Sequence, residues 1–194
     1  MGMSISQKEW TVEMLDALPD DGKRYEVIDG VLFVTPAPAK VHQRAIGELY
    51  LLLAPYAKPV GIEVLFAPSA VRWSARREVQ PDLFAAPLVP DASPAERFTD
   101  AAALLLAVEA LSPRTRRTDR TVKRDLYQNE NVPEYWIIDT TARSIDRWTP
   151  PSATADRLTS QLIWQPVAEF PPLIIDLPAY FREVHRERSP QLFV

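Results

Sequence analysis

Two hydrophobic periods run along this chain. Arg24-Tyr-Glu-Val-Ile28 and Val31-Leu-Phe-Val-Thr35 are short β-rich runs on either side of Asp29-Gly30. Asp-Gly between two such runs predicts a hairpin. From Ala39 to about Ala57 the period lengthens, and Val41, Ala45, Leu49, Leu52 and Tyr56 fall on one helical stripe with His42, Ile46 and Leu53 beside it. Thr11 is placed to cap a short helix with Glu13 in its first turn, ending near Pro19. Strands are predicted at Ile62–Phe66, Ala70–Trp73, Glu78–Phe84, Leu104–Leu111, Glu134–Asp139, Arg143–Trp148 and Leu158–Gln165. A second long helix is predicted from near Thr118 to Glu130, where Asn131 can take a left-handed C′ conformation and Pro133 stops continuation. The Pro-rich end, Pro171 to Phe181, is expected to pack back over the core. The order is mixed α and β, with one strand–helix–strand unit at its centre.

Composition narrows the choice of function. A length of 194 residues suits one domain, and 46% hydrophobic with 25% charged residues is globular usage. With no cysteine, disulfides, thiolate chemistry and Cys-ligated metals are excluded. The five glycines are isolated, so there is no P-loop and no Gly-x-Gly-x-x-Gly phosphate cradle. The longest apolar run, Ala101 to Val108, is far short of the roughly 18 residues of a membrane span. No secretion signal opens the chain, so a cytoplasmic location is expected. A net charge of −4 argues against a chain that coats nucleic acid over its whole surface.

Within this frame two carboxylates are out of place. Glu109 sits inside Ala101-Ala-Ala-Leu-Leu-Leu-Ala-Val-Glu-Ala-Leu111, a run apolar on both faces, as in a central strand covered on both sides. An unpaired carboxylate there costs several kcal/mol or takes up a proton. Either a cation or hydrogen-bonding network compensates it, or the strand end opens onto a cleft; a buried salt bridge is the plain alternative. Asp82 follows Pro81, and proline interrupts a ladder. Strand alternation would put Val79, Pro81 and Leu83 on one face and Gln80, Asp82 and Phe84 on the other. Two acids on neighbouring strands pointing into one space would call for a divalent cation, with oxygen ligation favouring Mg²⁺ or Mn²⁺. The alternative is that Asp82 merely ends a strand. Residues 114 to 124 hold six basic residues and one acid, a local charge of +5. Beside two acids such a run could hold a phosphate backbone; otherwise it is a solvated helix face. Asp119 and Lys123 stand i,i+4 with the acid first, the favourable order for a helical ion pair.

Taken in order, Tyr25-Glu-Val-Ile-Asp-Gly30, His42-Gln-Arg44, Val79-Gln-Pro-Asp-Leu83, Val108-Glu-Ala-Leu-Ser-Pro113, Asp119 with Lys123 and Tyr127, and Val132-Pro-Glu-Tyr-Trp-Ile-Ile-Asp139 form a pattern. The pattern resembles the PD-(D/E)xK nuclease superfamily, and within it the Uma-type family of putative restriction endonucleases, from about Thr11 to Phe181. The resemblance implies a single nuclease-like domain over residues 1–194, with its core at about 20–181. Its fold would be restriction-endonuclease-like, a central mixed sheet flanked by helices with an N-terminal β-hairpin. It implies a metal-dependent endonuclease acting on DNA, with Asp82, Glu109 and the carbonyl of Ala110 holding Mg²⁺ or Mn²⁺. Two residues after Glu109 stands Leu111, where the superfamily pattern has lysine. Lys123 is the substitute expected from the helix. RNA stays open as a substrate, and such cores often act as homodimers. The rival readings are a nucleic-acid-binding module without chemistry and a protein-interaction domain on the same fold.

Around this core, His42, Arg116, Arg117 and Arg120 are candidates for substrate binding. His42 is equally a structural residue beside an apolar stripe. Glu26 either joins an acidic cluster or pairs with an arginine. Glu48, one turn after Arg44, reads as half of a surface ion pair. Asp139 is expected to end its strand, and His185 to be exposed.

Overall fold

The structure, a computed structural model, describes residues 9–35, 37–89 and 98–187. Thr11 caps α1 (Val12–Asp16) by accepting the Met14 amide. The hairpin follows as β1 (Arg24–Ile28) and β2 (Val31–Thr35), in register from Arg24 opposite Thr35 to Ile28 opposite Val31. Its two turn residues, Asp29 and Gly30, have φ of 51° and 80°. That double left-handed turn matches the twist of the flanking strands, and it is why Asp-Gly is found there.

Helix α2 (Lys40–Ala57) buries His42, Ala45, Ile46, Leu49, Leu53 and Ala57. The helix sits about one position away from the predicted stripe, so Leu52 is exposed and Leu53 is buried. Next come β3 (Ile62–Phe66), β4 (Ala70–Ser74), β5 (Arg77–Val79) and β6 (Leu83–Pro87). The strand predicted over Glu78–Phe84 is therefore two strands. β5 belongs to a five-stranded sheet in the order β2-β1-β5-β4-β7, where β7 is Phe98–Asp100. β6 belongs to a second sheet, and the chain crosses between the two over Gln80–Asp82. Pro81, which has no N–H for a ladder, stands at the crossing.

The strand predicted from Leu104 is preceded by a 3₁₀ turn, Ala101–Ala103, and β8 runs Leu106–Ala110. A continuous helical run then carries the basic residues. It comprises α3 (Arg116–Thr118), a π-helical segment (Asp119–Lys123) and α4 (Arg124–Asn129). Asn131 takes the expected left-handed conformation, with φ of 56°. The chain returns in β9 (Glu134–Asp139), parallel to β8, and turns antiparallel into β10 (Ser144–Trp148) and β11 (Asp156–Leu158). The second sheet thus reads β11-β10-β9-β8-β6-β3, a mixed sheet of six strands.

The strand predicted over Leu158–Gln165 also divides, since β12 (Gln161–Trp164) pairs with β13 (Leu173–Asp176) instead of extending the large sheet. Asp176 caps α5 (Leu177–His185) by accepting the Ala179 amide at 2.8 Å, and Pro178 stands in the first turn. The Pro-rich end does pack on the core, but as a strand and a capped helix.

The six-stranded sheet has two faces because its strands alternate. Leu83, Ala85, Leu106, Val108, Trp136 and Ile138 face one way, into a core shared with α2 and α5. Phe84, Ala107, Tyr135 and Ile137 face the other, against Leu126 and Tyr127 of α4 and against Val71 and Val79 of the five-stranded sheet. Among the described residues no helix is long and apolar enough to cross a membrane.

Candidate active site

The second face of the sheet ends in charge. β6 and β8 pair antiparallel with Leu83 opposite Val108, so one step further along the same register sets Asp82 across from Glu109. By alternation Asp82 follows Phe84 and Glu109 follows Ala107, and both acids belong to the face covered by the basic helix. Asp82 is held from three directions. Arg24 Nη1 of β1 lies 2.6 Å from its Oδ1, His42 Nε2 of α2 lies 2.9 Å from its Oδ2, and the Ala110 amide donates to that Oδ2 at 2.9 Å. Arg24 also reaches the Gln80 carbonyl at 3.4 Å, which ties the sheet crossing to the hairpin.

Glu109 is met from the helix. Lys123 closes the π-helical segment, and its Nζ donates to Glu109 Oε1 at 2.8 Å and to Glu26 Oε1 at 2.8 Å. Tyr127 Oη donates to the same Glu109 oxygen at 3.4 Å. Glu26 accepts in addition the Gln80 amide at 2.8 Å. Lys123 therefore joins β1 and β8 across the helix, and the ion pair expected with Asp119 is replaced by these two longer-range partners. An i→i+5 turn is wider than an α-turn and often stands at a functional site.

These groups floor a cavity of about 410 Å³ lined by Arg24, Glu26, His42, Asp82, Glu109, Asp119 and Lys123. Phe33, Val34, Val41 and Leu111 form apolar walls, and Arg114, Thr115, Thr140 and Thr141 lie around it. Four carboxylates, Glu26, Asp82, Glu109 and Asp119, face three permanent cations, Arg24, Lys123 and Arg114, an excess of one negative charge when all four are ionised and His42 is left aside. The environment pushes the two central acids apart. Burial would raise Asp82, but the His42 hydrogen bond, the charges of His42 and Arg24 and the Ala110 amide hold it well below the usual carboxylate range. Burial pushes Glu109 up; Lys123 opposes this, and the charges of Asp82, Asp119 and Glu26 add to it. Burial likewise pushes Asp119 up to about 6, against the pull of Lys123 and a hydrogen bond with Thr115. Burial would lower Lys123, yet Glu109 and Glu26 hold it well above its ordinary value, so it stays charged.

Two adjacent hard oxygen donors with surplus negative charge fit a divalent cation, which would relieve the repulsion that raises Glu109. Among the described residues no three His, Asp or Glu side chains gather into a complete cage. A cation held by the two acids would therefore fill its other positions largely from water and substrate, as Mg²⁺ commonly does.

Of the residues singled out in the sequence, Asp82, Glu109, Lys123, His42 and Glu26 come together in this cavity. Ala110 is not among the lining residues; its amide is tied to Asp82. Arg116, Arg117 and Arg120 lie outside it. Arg116 leans to Asp139 at 3.7 Å, Arg120 pairs with Asp146 at 2.6 Å, and Arg117 is exposed. Glu48 pairs with Arg186 at 3.3 Å instead of Arg44, whose Nε is buried without a hydrogen-bond partner. Asp139 ends β9 and caps the following turn by accepting the Thr141 and Ala142 amides. His185 is half-buried, its Nε2 3.0 Å from the Thr140 carbonyl oxygen. Sequence reading missed Arg24 as a site residue. Its signal was its place two residues before Glu26, on the same face of a strand.

The model of the Uma2 family, described as putative restriction endonuclease, matches residues 12–178. A crystal structure described as that of a putative nuclease belonging to DUF820, from Anabaena variabilis, is similar with a TM-score of 0.74 and 16% identity. The match covers 90% of this chain and 98% of that one. At that identity the likeness speaks for the fold, which is restriction-endonuclease-like. Among curated proteins none matches. Because the family match spans most of the sequence, the chain belongs to the Uma2 family of putative restriction endonucleases.

Proposed function

We propose that the chain is a metal-dependent endonuclease that hydrolyses phosphodiester bonds of DNA in this cavity. The observation that carries the reading is the meeting of Glu109, cross-strand from Asp82, with the ammonium of Lys123 at 2.8 Å. Asp82 and Glu109 would hold Mg²⁺ or Mn²⁺, which when bound polarises a phosphoryl oxygen and lowers the pKa of an attacking water. Lys123, on the helix after β8, is the substitute that the family resemblance implies for the strand lysine, since Leu111 stands in that lysine's place. Lys123 keeps its proton between two carboxylates, and it orients the water and stabilises charge developing on the phosphoryl oxygens. Arg24 and His42 act as positioning residues, because they keep Asp82 ionised and fixed. Glu26 anchors Lys123. In the reaction a water oxygen bonds to phosphorus as one ester P–O bond breaks, leaving a phosphate monoester end and a hydroxyl end that takes up a proton.

The test is cleavage of mixed DNA substrates with Mg²⁺ or Mn²⁺, with an RNA arm, comparing wild type with Asp82→Ala and Glu109→Ala. Each substitution should lower the rate by about 10²–10³-fold, as loss of a main electrostatic group does. Equal cutting by all three proteins would assign the activity to a contaminant.

A second reading, a nucleic-acid-binding module without chemistry, is favoured by one observation. Both oxygens of Asp82 and one of Glu109 already have protein partners. Calorimetry separates the two: a nuclease binds Mn²⁺ and loses that binding in Asp82→Ala, while the module binds no Mn²⁺ at this site. Cores of this superfamily often act as homodimers, and we extend that to this chain; light scattering that gives a monomer at working concentration would overturn that part.

A further inference from the structure

The proposed catalytic acids are almost wholly buried. Asp82, Glu109 and Glu26, which line the cavity, are only 5%, 3% and 2% exposed. Its volume of about 410 Å³ is in the range of small-molecule sites, roughly 300–1,000 Å³. Phe33, Val34, Val41, Leu111 and Pro113 make much of its wall apolar. Paired DNA is stiff, with a persistence length of about 50 nm, and keeps its bases stacked inside. To bring a duplex phosphate down to carboxylates buried this far, the backbone must bow inward and the nucleotide must leave its stack. Apolar walls offer a phosphate nothing, but they suit the face of an unstacked base.

The charges agree. Lys123 is turned inward to Glu26 and Glu109, Arg120 is paired with Asp146, Arg116 leans to Asp139, and Arg124 is bridged to Asp125 at 2.5 Å. Of the basic run, only Arg114 and Lys123 line the cavity. Tracking a long duplex calls for many phosphate-neutralising side chains, and most of this run already faces carboxylates of its own chain.

We infer that the substrate enters this site as an unpaired segment of nucleic acid, with a base against the Phe33 and Leu111 wall and its phosphodiester reaching Asp82 and Glu109. Arg114 takes a flanking phosphate at the rim. The inference rests on the nuclease reading and narrows its substrate class.

The test uses three fluorescein-labelled DNAs of one sequence: a single strand, a perfect duplex, and a duplex with a central unpaired bubble. Anisotropy in Ca²⁺ reads binding, and gels in Mn²⁺ read cutting. Single strand and bubble should bind at least about tenfold tighter than duplex, in keeping with the stacking of one or two bases. The bubble should be cut within its unpaired segment. With about two phosphates engaged, the log–log salt slope should be no steeper than about −1.5. Phe33→Ala should weaken single-strand binding by about fivefold or more. Phe33→Leu, which keeps an apolar side chain against the core, should weaken it too if the aromatic face is what binds. Duplex bound and cut as well as single strand overturns the inference and leaves the nuclease reading standing, as does a Phe33→Leu protein that binds single strand like wild type. Preference for single strand without cutting supports the inference and overturns the catalytic reading. No binding and no cutting of any form overturns both.

Discussion

Along β9, Trp136 and Ile138 point to one side of the six-stranded sheet and Tyr135 and Ile137 to the other, and the two sides carry different chemistry. On the first side, Ala45, Leu49 and Leu53 of α2 and Tyr180, Phe181 and Val184 of α5 close an apolar core. The Tyr180 hydroxyl there donates to the Ala45 carbonyl at 2.8 Å, which satisfies a polar tip at little expense. The second side also has an apolar core, with Phe84, Ala107, Tyr127 and Ile137 wholly buried, but it ends in Asp82, Glu109, Glu26 and Lys123, each 5% exposed or less. Burial of area stabilises the first side whatever the pH. The second holds together only while each charge keeps its partner, because a half-satisfied buried network is worse than none. The same β-strands thus build a stable platform on one side and a reactive, conditional one on the other.

That contrast can be broken most strongly at Lys123. Lys123→Met strands two buried carboxylates and should lower stability by about 3–5 kcal/mol in urea melts at neutral pH. In a Glu109→Gln background the same change should cost clearly less, since one stranded charge is gone. Equal losses in both backgrounds would show that the lysine is held by packing alone. On the apolar side, Leu49→Ala should cost about 2–5 kcal/mol through its cavity, and the cost should barely change between pH 5 and pH 8.

Asp119 sharpens the comparison through pH. Its folded value of about 6 lies above the ordinary 3.8, so the folded protein holds a proton that the unfolded chain has released. Wild type should therefore lose stability relative to Asp119→Asn as pH rises from about 4 to 6, by an amount on the order of 2–3 kcal/mol. Melts of both proteins at pH 4.5 and pH 7 measure it, and a difference independent of pH would contradict it. The smallest effect belongs to the surface. Glu48→Gln removes a bridge to Arg186, which is 58% exposed, and should change stability by no more than about 1 kcal/mol.

Local chemistry made much of this legible. Asp29-Gly30 admits a double left-handed turn, and the spacing of Ala45, Leu49 and Leu53 suits only a helix laid on a core. Glu109 stood out because a carboxylate in an apolar run needs compensation wherever the chain goes. What local pattern does not record is a choice among distant partners. Lys123 had Asp119 one turn away, yet it reaches 97 residues back to Glu26 and 14 back to Glu109. The π-helical segment and the hairpin bring those acids closer to it than spacing along the helix suggests. Likewise Pro81 signalled an interruption, but not that the strand would change sheets there, since that depends on which edges are free to pair.

The amino-acid order by itself therefore determined the turns, the helical periods and the presence of two acids that could not stay uncompensated in an apolar setting. These follow from backbone sterics and desolvation, which act within a few residues. Tertiary structure decided that Asp82 and Glu109 stand side by side, that Arg24 and His42 hold one and Lys123 the other, and that the basic helix turns most of its charge onto its own chain. Those are outcomes of sheet register and loop closure over tens of residues, where many pairings satisfy the same local rules and only the packed whole selects among them.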